Sequence, residues 1–98
     1  MMGVNGVRGE VLVELAGAKR RVCLTLGALA EMETGLGVSG VEALGARMAV
    51  LSAGDLMVVL AALLRGGGEV ELARGLASAG VTVAEAAQAV VMGFEAGV

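Results

Sequence analysis

The chain has 98 residues, of which 57% are apolar but only one is aromatic, with 7 basic and 10 acidic residues, one cysteine, no proline and no histidine. That length makes one domain, 1–98, whose core must come from Leu, Val, Ala and Met. A net charge of −3 with one basic run, Lys19–Arg21, argues against nucleic-acid binding, and without histidine neither a Cys–His dyad nor a Cys/His zinc site can be built.

The first eight residues carry two glycines, an asparagine and little periodicity, and read as a lead-in (1–8) without the basic start and apolar run of a signal peptide. From Glu10 the chain alternates: Val11, Val13 and Leu15 on one face, Glu10, Leu12 and Glu14 on the other. Gly17-Ala18 offers a tight reversal, and Lys19 to Leu24 returns as a second strand, so 9–24 is predicted to be a β-hairpin. Cys23 is a small hydrophobe at the strand end, and a lone cysteine points to a reducing, cytosolic setting.

At Thr25 the period changes from strand to helix, with a hydroxyl where an N-cap belongs. The helical body, 25–98, begins here. Leu26, Leu29, Ala30 and Leu36 are the predicted core stripe of the first helix, and placing residues 100° apart puts Glu33 on that stripe. Such a carboxylate either pairs with Arg20 or Arg21 or reaches water past the helix end. Gly35 and Gly37 end the helix.

Ser39-Gly40-Val41-Glu42 fits a capping box opening a second helix, striped by Val41, Leu44 and Met48. Ser52–Asp55 starts a third, which runs from Leu56 to Leu64 without a charge. A helix apolar all round is central or in an interface, and part of this one is expected to face another chain. The window Leu51–Leu64 is too short to span a bilayer. Arg65 and Gly66–Gly68 terminate it; Val70, Ala73, Leu76 and Ala77 mark a fourth helix ending near Gly80. Thr82–Glu85 is a further capping box, opening a last helix striped by Val83, Ala86, Ala87, Val90, Val91 and Phe94. The predicted fold class is therefore α+β and mostly helical: an N-terminal β-hairpin followed by four to five short α-helices.

Gly35-Leu36-Gly37-Val38-Ser39-Gly40 matches G-x-G-x-x-G by letter, but it follows a helix, and the dinucleotide fingerprint must follow a strand and open one. No pair of carboxylates is singled out for acid–base work, and there is no nucleophile signature. No catalytic residue, cofactor or metal is expected, and the protein is read as a non-enzyme. The apolar positions opposite the main stripes are Met57, Val58 and Ala61 on the third helix and Ala89 and Met92 on the last. These five are the candidate partner-binding residues, methionine suiting surfaces that re-pack against a partner, with core filling as the alternative reading.

Arg8-Gly9-Glu10-Val11 with Leu15, then Leu24 to Glu33, resembles the start of the small gene-transfer-agent and phage tail proteins described as tail assembly chaperones or tail tube-associated proteins. Leu51–Leu56 and Leu63–Gly68 resemble that family's later blocks, so the likeness extends over about residues 8–94. The resemblance implies a non-catalytic tail assembly chaperone of a gene transfer agent or prophage, acting in the cytoplasm of a bacterial host. Its implied partners are the tape-measure protein and the tail tube protein, with a homo-oligomer also in view and neither nucleic acid nor membrane. The alternative is a structural tail component, a tube or connector subunit; a generic helical adaptor is a third class.

Overall fold

A computed structural model describes residues 9–97; the lead-in expected over 1–8 lies outside the described residues. Strands β1 (Glu10–Leu15) and β2 (Ala18–Cys23) pair antiparallel, with Val11 opposite Val22, Leu12 opposite Arg21 and Leu15 opposite Ala18. The reversal falls on Ala16-Gly17, one residue before the expected pair. Both residues have positive φ, 54° and 82°, which is the type I′ turn whose twist matches the flanking strands. Val13, Leu15 and Val22 on the inner face are buried, while Leu12 on the outer face is 54% exposed.

Helix α1 (Leu26–Leu36) starts as expected: the Thr25 hydroxyl accepts the Ala28 N–H at 3.0 Å. It ends at Gly37, left-handed at φ 71°, with the Val38 N–H returning to the Glu33 carbonyl. Its buried side is Ala28, Met32 and Leu36, and this corrects the predicted stripe, because Leu26 is 84% exposed. The helix is rotated so that the line Ala28–Met32–Leu36 faces the core, which turns Leu26 and Ala30 outward and leaves Leu29 half-buried. Glu33 consequently leaves the core face. Its carboxylate accepts the Gly40 N–H at 2.8 Å, which is neither a pair with Arg20 or Arg21 nor simple escape to water.

That bond replaces the expected capping box of α2 (Val41–Met48). Its N-cap is Gly40 at φ 93°, with no side-chain cap bond, so Ser39 does not cap. Leu44 is buried, but Val41, placed on the predicted stripe, is 77% exposed. Helix α3 (Ala53–Gly66) has the expected box in full, with Ser52 Oγ and the Asp55 carboxylate exchanging backbone bonds. Six consecutive residues, Val59 to Leu64, are buried. Leu60, Leu63 and Leu64 each contribute roughly 1.5–3 kcal/mol by that burial. The second half of α3 is therefore the centre of the molecule, touching α1, β2 and the helices that follow. Its exposed apolar residues are confined to the first half.

The predicted fourth helix divides at Gly75 into α4 (Val70–Arg74) and a 3-10 turn at Leu76–Ser78. Helix α5 (Val83–Gly97) opens with the expected reciprocal bonds between Thr82 and Glu85, both 3.1 Å. Its buried side is Ala86, Ala89, Val90 and Gly93, while Val83 and Val91, expected in the core, are 73% and 54% exposed. Small residues let α5 come close: a Cβ on Gly93 would sit 3.1 Å from Leu63 Cδ1.

The sheet lies over both long helices, α3 along β2 and α5 chiefly along β1. At the end of α3 the helix meets the strand backbone directly. A Cβ on Gly66 would collide with the Cys23 carbonyl oxygen, and one on Gly67 with that of Arg21. Just beyond, the Glu69 carboxylate accepts the Arg21 N–H at 3.0 Å. At the same end of the sheet, on the β1 side, Gly9 abuts Gly97, its would-be Cβ only 3.2 Å from Gly97 Cα.

Candidate partner-binding surface

The exposed first half of α3 forms the floor of a groove. Met57, Val58 and Ala61 line it from below, Gly27, Ala30, Thr34 and Gly35 of α1 form one wall, and Ala73, Leu76 and Ala77 form the other. Its volume is about 770 Å³. Half of the lining residues are Gly or Ala, so the walls stand low and the floor is reachable by a bulky apolar side chain from outside. Gly35 has a structural reason to be glycine as well: a Cβ there would lie 2.5 Å from Val58 Cγ1, and this contact sets how closely α1 rests on α3.

A smaller groove of about 300 Å³ lies on the far side of Met57, lined among others by Leu51, Leu56, Leu60, Val81 and Val83. Met57, Leu76 and Ala77 line both. The two together make one apolar surface running from α1 across α3 to the start of α5, with Met57, 41% exposed, at its middle.

Charge sits at the rim. Arg65 Nε meets Glu31 Oε2 at 2.6 Å, joining α3 to α1, with both side chains about two-fifths exposed. Arg74 on the opposite wall pairs with Glu71 one turn earlier, at 3.2 Å. Exposed pairs of this kind contribute about 0–1 kcal/mol each and serve mainly to orient what lies between them. Glu31, a carboxylate in the groove lining, is thus held by a cation, and the lining has the character of a packing surface.

The five residues predicted for partner contact part company here. Met57, Val58 and Ala61 come together on the groove floor, with Val58 half-buried and Ala61 9% exposed. Ala89 is 1% exposed and belongs to the core, and Met92 is half-buried against it; neither lines either groove. The outward side of α5 is instead Val83, Ala87 and Val91. The walls from α1 and the 3-10 turn were not foreseen. Their signal is the run of small residues Gly27, Ala30 and Thr34 at helical spacing, which size-weighted reading passes over.

Burial raises the pKa of the Cys23 thiol, and the nearby Glu10 charge raises it further. Among the described residues no group of three or more Cys, Asp or Glu is gathered as a metal site, and no helix is long and apolar enough to cross a membrane. Compared with known families, residues 8–96 match the one described as phage tail tube protein, GTA-gp10. No curated protein and no solved structure matches the chain.

Proposed function

Because the chain belongs to the phage tail tube protein, GTA-gp10 family, we propose that it is a non-catalytic structural subunit of a gene-transfer-agent or phage tail, held in the tail tube by contacts with neighbouring proteins. The observation that carries this reading is the family match across residues 8–96, together with that family's description as a tube protein. The description supports a tube or connector subunit ahead of the assembly chaperone that the sequence first suggested. The apolar surface centred on Met57 supports the same reading, since a subunit that packs among others needs such a face. The subunit is made in the bacterial cytoplasm and assembles there.

A second reading, the assembly chaperone, draws on the same surface: an open groove with low walls suits a transient grip on a helical client such as a tape-measure protein. Purified particles separate the two. Recovery of the protein in particles at a fixed ratio to the tube protein supports the structural subunit. Abundance in the lysate with none in the particles overturns it in favour of the chaperone.

A further inference from the structure

The two edges of the hairpin are treated differently. In an antiparallel pair the outward N–H and C=O groups belong to alternate residues. On β2 they belong to Lys19, Arg21 and Cys23, and this edge is closed over Arg21–Cys23: Glu69 takes the Arg21 N–H, while Gly66 and Gly67 lie against the Cys23 and Arg21 carbonyls. On β1 the register assigns the outward groups to Glu10, Leu12 and Glu14. Among the described residues no hydrogen bond reaches the backbone of these three from outside the ladder. An open edge of this kind is a template for another strand.

The outer face of the sheet says which strand. It is acidic along β1, with Glu10 and Glu14 on either side of Leu12, and basic along β2, with Lys19 opposite Glu14 and Arg21 paired to Glu10 at 3.4 Å. A second copy fits poorly. Two β1 strands paired about Leu12 would set Glu10 against Glu14, and on β2 the outer edge is already taken from Arg21 to Cys23.

We propose that the free edge of β1 accepts an extended segment of a different protein by β-strand addition, with basic residues at two alternate positions flanking an apolar one. The basic residues lie against Glu10 and Glu14, the apolar one against Leu12, and the backbone of the added strand takes the outward groups of β1. This surface is separate from the α3 groove, and the proposal does not depend on the tail reading.

The test uses the full chain, isotopically labelled, and two short synthetic peptides, one containing Lys-Thr-Val-Thr-Lys and the other Glu-Thr-Val-Thr-Glu. The basic peptide is expected to shift the amide signals of β1 and slow hydrogen exchange at Leu12 and Glu14, with the acidic peptide about tenfold weaker. Glu14→Gln, which removes the charge without setting two cations opposite each other across the hairpin, is expected to narrow the difference between the two peptides severalfold with little change in melting temperature. Leu12→Pro removes an outward donor that the hairpin does not use, and is expected to abolish binding while the Val13 and Leu15 amide signals stay in place. Equal binding of both peptides by the unaltered chain overturns the proposal. So do shifts confined to the residues around Met57, or pairing of β1 with a second copy.

Discussion

Arg47 holds both carboxylate oxygens of Asp55, Nη2 lying 2.8 Å from each and Nε 3.1 Å from Oδ2. Its remaining nitrogen, Nη1, donates to the Leu36 carbonyl at 2.7 Å. One side chain at the end of α2 thus binds the first turn of α3 and the last turn of α1. Arg47→Met keeps much of the apolar stem and leaves the Leu36 carbonyl without that donor. It is expected to lower the melting temperature by on the order of 5–10 °C, read by circular dichroism. A change of less than a degree would show that the three helices hold their angles without it.

Asp55 also makes stability depend on pH. The Ser52 backbone N–H, followed by the Arg47 side chain, holds its carboxyl below the ordinary value of 3.8. A lowered pKa in the folded state contributes stability that is fully present above the unfolded value, about 3.9, and is lost as pH falls through the folded one. Urea midpoints measured into acid should therefore fall more steeply for the native chain than for Asp55→Asn. Parallel curves would remove Asp55 from the acid response.

The hairpin turn contains a correctable strain. Ala16 has φ 54°, a conformation that costs an L-residue with a Cβ about 1 kcal/mol. Asn-Gly is the preferred pair for this turn, and Ala16→Asn is expected to stabilise by about 0.5–1 kcal/mol in urea titration. A lower midpoint would mean that the turn is of another type in solution.

Two glycines in helices should respond to the same substitution with opposite sign. Gly45, in α2, has nothing within 4 Å of a would-be Cβ. Gly45→Ala should stabilise by about 0.5–1 kcal/mol through helix propensity. Gly66→Ala drives a methyl into the Cys23 carbonyl and should destabilise by about 2 kcal/mol or more. If the two variants melted alike, the contact between α3 and β2 would be looser than described.

Met57 tests the groove without touching the core. Being 41% exposed, it should accept Met57→Glu with a change in stability within about 0.5 kcal/mol. Incorporation into particles, measured by co-purification with the tube protein, should fall severalfold. Unchanged incorporation would exclude this face from the assembly contact.

The hairpin and the caps at Thr25, Ser52 and Thr82 were legible in the sequence because each depends on a local signal, alternation or a hydroxyl before an apolar run; the uncharged stretch of α3 marked it as central or in an interface without deciding between them. Helix rotation was not legible. Leu26, Val83 and Val91 look like core residues and face outward, while Ala28 and Gly93 look incidental and are buried, as is Ala89, which was read as a candidate contact residue. Close helix packing rewards the absence of side chain, and periodicity weighted by hydrophobicity points to the larger residue. The same blind spot hid half of the candidate surface, whose walls are glycine and alanine. Ser39 misled for a different reason: the Gly40 N–H goes to Glu33, a side chain from the preceding helix that no local pattern names.

The meeting of Gly9 with Gly97 has a consequence for how the molecule is made. The hairpin leaves the ribosome ahead of every helix described, yet the helix that covers Val22 and Leu24 from below follows only after α1 to α4. Until α5 arrives, the inner face of a two-stranded sheet has only part of its shelter, and such a hairpin is marginal alone. The nascent chain therefore carries an unfinished apolar sheet until α5 has been made, and the folding of β1 and β2 waits on a helix about sixty residues further along.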